Sequence, residues 1–110
     1  MIPADVYKEF VKTGTAMANA KLVFRQLDDA TKSLLASLTL EAKGVEGVKS
    51  MAEAKEIALA ATAYRDHLKA VAQAEHGFLA AKVKYDATRA LFDAQRTMEA
   101  THRAAGAAAT

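Results

Sequence analysis

Glu99-Ala-Thr-His102 has the Glu-x-x-His spacing with which helical bundles hold a pair of metal ions. One helical face then carries both a carboxylate and an imidazole. Such sites need two copies of the motif and two further glutamates, and this chain has a single copy. A surface pair near a helix end is the better reading, because closed metal sites need several converging ligands. Asp28-Asp29 is the only adjacent carboxylate pair here that invites acid–base chemistry. Neighbours on a helix point about 100° apart and cannot share one proton. His67 and His76 have no histidine or carboxylate partner one turn on, so a solvated or interfacial place suits each. The glycines are isolated, so no phosphate-cradling loop exists, and no serine sits in a Gly-x-Ser-x-Gly elbow. The expectation is a protein with no catalytic residue, no cofactor and no metal.

The remaining constellation is KVKYDATRALFDAQRTMEATHR, residues 82–103. Lys82, Arg89, Arg96 and Arg103 recur every seventh residue, with Lys84, Tyr85 and Phe92 among them. Cations interleaved with aromatics can grip single-stranded nucleic acid by phosphate contact and base stacking. Asp86, Asp93 and Glu99 lie three or four residues from those cations, spacings at which opposite charges meet on a helix. The row therefore reads as a ladder of alternating sign. Such alternation marks a solvated helix flank, with long Lys and Arg stems covering Tyr85 and Phe92. A phosphate-binding face would leave its cations unpaired.

Helices must position these groups. Val6, Phe10, Thr13, Met17, Ala20, Phe24, Leu27, Thr31, Leu34 and Leu38 follow steps of 4 and 3 without a slip, a heptad seam that keeps one stripe against a partner helix. Leu22, Val23, Leu35 and Leu40 are expected to widen the stripe. Pro3 suits a helix's first turn, so the first helix is predicted over 3–43. A loop over 44–50 follows, with Gly44 as its C-terminal cap and Gly47 as a second flexible point. Ser50-Met51-Ala52-Glu53 predicts a capping box, in which the Ser50 hydroxyl accepts a free amide and Glu53 reaches back to the Ser50 amide. A break near Ala60–Ala63 divides the rest into a short helix, 51–61, and a long one, 63–104. The tail 105–110 should fray.

On the long helix Phe78, Tyr85 and Phe92 share one stripe, continued loosely by Leu68 and Val71. Leu79, Val83, Ala90, Leu91, Ala94 and Met98 form a second apolar arc on roughly the opposite side. Two arcs need neighbours on both sides, and a lone hairpin offers only one. The expected fold is all-α: a long antiparallel helical hairpin, with a short middle helix, assembling into a dimer or larger bundle. Pairing about the loop would bring Gly14 near Ala81 and Gly77 near Ala18.

Bulk properties agree. Charged residues make up 25% and apolar residues 52%, values of a folded chain, and this length suits one domain. The net charge of +2 is small for a dedicated nucleic-acid binder. Cysteine is absent, which excludes disulfides and thiol chemistry. No run is apolar enough to span a membrane, and the N-terminus MIPADVYKEF does not resemble a signal peptide. The expected compartment is the cytoplasm.

Tyr64-Arg65-Asp66-His67-Leu68, Ala81-Lys82-Val83-Lys84-Tyr85, Leu91-Phe92-Asp93-Ala94-Gln95-Arg96-Thr97 and Ala100-Thr101-His102-Arg103 together resemble a group of short helical bacteriophage proteins. Members of that group read YxxHL, AKxKYxA and FEAWRTxxATRR. They have no assigned catalytic role and are often encoded among phage DNA recombination and replication genes. The resemblance covers about forty residues, and Gln95 stands where the group tends to have tryptophan. It implies a phage accessory setting inside the host cell. A homo-oligomer that binds a protein of DNA metabolism is the leading expectation. Non-specific single-strand binding, or inhibition of a host defence or repair enzyme, are the alternatives.

Overall fold

The computed structural model describes the backbone of residues 3–109 and the side chains of residues 3–107. The chain is an all-α helical hairpin with a short middle helix. Among the described residues α1 runs Ala4–Lys43, α2 Met51–Ala60 and α3 Thr62–Ala109, with no strand. It forms two compact units. The first joins residues 1–20 to 78–110, and the second holds 21–77.

The heptad seam of α1 is a physical stripe. All ten of its positions, from Val6 to Leu38, are half-buried or buried. Two of them are threonines, and their hydroxyls are satisfied on the helix's own backbone. Thr13 Oγ1 donates to the carbonyls of Glu9 (2.9 Å) and Phe10 (3.2 Å), and Thr31 Oγ1 to Leu27 (3.2 Å). Back-bonding of this kind lets threonine serve as a branched apolar spacer inside a seam. The stripe is narrower than expected. Leu35 is half-buried, but Leu22, Val23 and Leu40 remain exposed.

In the second unit the tightest packing is made by alanine. Ala54 (0% exposed) and Ala58 (1%) are the most buried residues of the chain, joined by Ala42 and by Thr39, which donates to the Leu35 carbonyl at 2.7 Å. Ala54 and Ala58 are one turn apart on α2, and only a methyl group there allows two helix backbones to approach so closely. Ala61, with φ −64 and ψ 140, leaves the helical region for one residue, so α2 ends and α3 begins without glycine or proline. The Ala61 carbonyl still accepts from the Arg65 amide, and its amide donates to Ala58.

The α1–α2 connection follows expectation at its two glycines and differs from it in one detail, the partner of Glu53. Gly44 continues the helix bonding, with its amide shared between the Leu40 and Glu41 carbonyls. The left-handed residue is Gly47, φ +92, in a turn closed by the Val48 amide on the Val45 carbonyl. A positive φ at the third position is what a type II turn requires of its residue there. Ser50 caps α2, its Oγ accepting the Glu53 amide at 3.1 Å, but the Glu53 carboxylate reaches the amide of Lys49, not of Ser50. The extended backbone of Ser50, φ −139 and ψ 160, carries the preceding amide round to the carboxylate.

At the far end, α3 does not stop near 104. It continues through Gly106 to Ala109, as an alanine-rich run with high helix propensity can. Thr110, the last residue of the expected frayed tail, lies outside the described residues.

Candidate interaction surfaces

In the first unit, seam residues of α1 meet those of α3 in an aromatic cluster. The Phe10 ring lies 4.7 Å from Phe92 and 5.6 Å from Tyr85, and Tyr7 lies 6.5 Å from Phe92, all tilted. Such geometries suit aromatic quadrupoles. Gly14 sits directly under Tyr85. A Cβ placed there would be 3.3 Å from Tyr85 Cε2, whereas one at Gly77 would meet nothing within 4 Å. The close approach expected at Gly14 is therefore real, but its neighbour is Tyr85 rather than Ala81. None exists at Gly77.

Phe78, Tyr85 and Phe92 all lie half-buried on α3's inward stripe, as do Met17, Phe24, Leu27, Leu34 and Leu38 on α1. The upstream continuation of the α3 stripe is Tyr64, His67 and Val71; Leu68 is 43% exposed and turns away. His67 takes an interfacial place. Its Nε2 is 2.9 Å from Thr31 Oγ1. The direction of this bond follows the imidazole tautomer: the Thr31 hydroxyl accepts from a protonated Nε2 while donating to the Leu27 carbonyl, or donates to a bare Nε2. This is a polar cross-helix link inside an apolar seam, a device that fixes register. His76 is exposed.

The basic row is outward. Lys82, Lys84, Arg89, Arg96 and Arg103 are all exposed. Arg89 pairs with Asp93 at 4.0 Å, both side chains more than half exposed. A pair so wet adds little to stability. Glu99, expected as a ladder rung, is half-buried in line with Phe92, and it lines an open hollow together with Arg96 and Arg103. His102 is exposed and lines a second hollow with Glu99 and Arg103. Among the described residues no group of three or more His, Cys, Asp or Glu is placed to hold a metal. No described helix is long and apolar enough to cross a membrane.

The second α3 arc is bare. Leu79, Val83, Leu91 and Met98 are 49, 69, 50 and 57% exposed. Among the described residues, these four are the large apolar side chains of α3 downstream of Leu68 that stand exposed. The second unit carries a smaller apolar groove, between α1 and α2, where Leu35, Leu40 and Met51 line the floor and Lys32 and Lys55 the rim. The class of molecule is thus a helical hairpin whose notable surfaces are apolar faces and one basic row. No family model matches the chain, and no curated protein or solved structure matches it either.

Proposed function

We propose that this is a non-enzymatic, self-associating helical protein that acts by binding another protein. One observation carries the reading: among the described residues no large side chain is fully buried, while fourteen large apolar residues are exposed. A chain that folds and leaves its apolar side chains so uncovered gains most of its hydrophobic stabilisation only when a partner covers them. The likeness of residues 64–103 to short phage proteins supports a setting in the host cytoplasm, on the machinery of phage DNA recombination or replication.

Affinity capture from infected host cells tests the partner. The expected result is one stoichiometric protein of DNA metabolism, lost when the exposed apolar residues of α3 are made charged. Capture of nucleic acid alone, removed by nuclease, would overturn the reading.

A second reading, direct binding of single-stranded nucleic acid, is favoured by the placement of charge. The first unit holds seven Lys/Arg against five Asp/Glu, and the second eight against eight. The whole excess thus lies in the unit with the basic row and the aromatic cluster. This reading requires an affinity that falls with salt and with neutralisation of Arg89 and Arg96. Absence of binding to single- and double-stranded DNA at low salt eliminates it.

A further inference from the structure

The groove between α1 and α2 lies wholly within the second unit, and its floor is uncovered. Leu40 is 67% exposed and Met51 51%. Long lysine stems can shield apolar surface of this kind, but those of Lys32 and Lys55 leave it open. Ala36, which also lines the groove and is exposed, adds no bulk that would hold another helix away.

The rim carries one sign. Lys32 stands on the α1 wall and Lys55 on the α2 wall, and no acidic residue lines the groove. Among the described residues neither lysine forms an ion pair. For Lys55 the reason is in the sequence. Its neighbours at three and four residues are Met51, Ala52, Ala58 and Leu59, so no acid of α2 stands at a pairing position. Of the α2 carboxylates, Glu53 takes the Lys49 amide, and Glu56 lies about 100° round the helix from Lys55. Lys32 has Asp28 and Asp29 one turn back, in a neighbouring hollow, and pairs with neither. The opposite side of α2 differs in sign and size. There a hollow lined by Leu38, Val45 and Ile57 has Glu41 as its charged residue and measures about 210 Å³, against about 430 Å³ for the lysine-rimmed groove.

An apolar floor between two helices is a shape that receives the apolar face of a third. Unpaired cations on both walls require that the flanks of that third helix be acidic. A nucleic-acid backbone would satisfy the lysines but leave the floor in water. We propose that the groove docks an acidic amphipathic helix of a partner protein, with aliphatic side chains on Leu35, Leu40 and Met51 and carboxylates on Lys32 and Lys55. The flexible thioether of Met51 suits a floor that adapts to such a face. This rests on the protein-binding reading above and gives it a second site, since the bare arc of α3 belongs to the first unit.

The probe is a ten-residue peptide, the length of α2, with leucines one turn apart and glutamates flanking them. A second peptide has lysine for every glutamate. Nitrogen-15 NMR of the full chain detects even weak binding. The glutamate peptide should shift amides within 35–40 and 51–55, and the lysine peptide should not. Leu40→Glu should weaken binding by at least about tenfold, as loss of an apolar anchor does. Lys32→Glu combined with Lys55→Glu should reverse the preference and bind the lysine peptide, a rescue that damage to the fold could not give. Ile57→Glu in the other hollow and Val83→Glu on α3 should leave the glutamate peptide bound. No shift at millimolar peptide, or equal shifts from both peptides, would overturn the proposal. So would shifts from oligothymidylate where the peptide gives none, or a wild-type oligomer that Leu40→Glu dissociates; the occupant would then be nucleic acid or a second copy. Capture from infected cells separates this site from the reading above. A protein still captured by a chain that binds no glutamate peptide overturns the groove alone, whereas capture of nucleic acid alone overturns the reading.

Discussion

Gly14 and Gly77 both lie inside helices, and the same substitution should have different consequences at each. Glycine in a helix interior costs about 0.8–1.0 kcal/mol relative to alanine. A Cβ at Gly77 meets nothing within 4 Å, so Gly77→Ala should recover the full propensity gain. For a chain of this size that raises Tm by about 4–8 °C. At Gly14 the new Cβ stands 3.3 Å from Tyr85 Cε2, and Tyr85 is held from its other side by Phe10 at 5.6 Å. The ring must shift by a few tenths of an ångström within the aromatic cluster. Overpacking typically costs about 1–3 kcal/mol, so Gly14→Ala should lie between neutral and about 2 kcal/mol destabilised. Thermal and urea melts followed by circular dichroism, at one fixed protein concentration, measure both. In a Tyr85→Ala background Gly14→Ala should regain the stabilisation of about 1 kcal/mol. A Gly14→Ala that stabilises wild type as much as Gly77→Ala does would refute the placement of Tyr85 over Gly14.

Other consequences follow from the hairpin end and the seam. Ala54→Leu and Ala58→Leu should each cost about 1–3 kcal/mol by overpacking, whereas Ala52→Leu, at an exposed position, should be close to neutral in the same melts. Ser50→Ala removes the cap of α2 and should cost about 1 kcal/mol; Gly47→Ala should be destabilising too, because φ +92 strains any residue with a Cβ. Thr31→Val leaves His67 Nε2 without its seam partner and should cost about 1–3 kcal/mol, with the nitrogen-15 spectrum of His67 reporting the lost hydrogen bond at Nε2. Neutralising Arg89 should change stability by less than about 0.5 kcal/mol, since its pair with Asp93 is solvent-exposed; a larger loss would show the basic row to be structural.

Much of the architecture was legible in residue spacing, and the departures have physical causes. The α1 seam could be read position by position because a heptad permits no slip, and Thr13 and Thr31 kept its rhythm. The break at Ala61 was readable only as a region. Alanine carries no helix-stop signal, and α2 ends where Ala61 takes extended backbone for one residue. The burial of Ala54 and Ala58 was itself invisible, because alanine's small volume looks like propensity filler until another helix lies against it. Gly44 and Gly47 were legible as the helix stop and the flexible point after it, while only the conformation shows that Gly47 is the one with positive φ. His67 gave no local pattern, since its partner Thr31 lies thirty-six residues away. Charge spacing places Glu99 beside Arg96 and Arg103, with which it lines one hollow; what it did not show is that the seam period carrying Phe92 leaves Glu99 half-buried.

The account depends on the exposed apolar face being an assembly surface. The mass of the wild-type chain in solution at micromolar concentration, by sedimentation equilibrium or light scattering, tests that most directly. A particle of at least twice the 11.7 kDa chain mass is predicted. A stable, fully helical monomer with Leu79, Val83, Leu91 and Met98 open to water would contradict it.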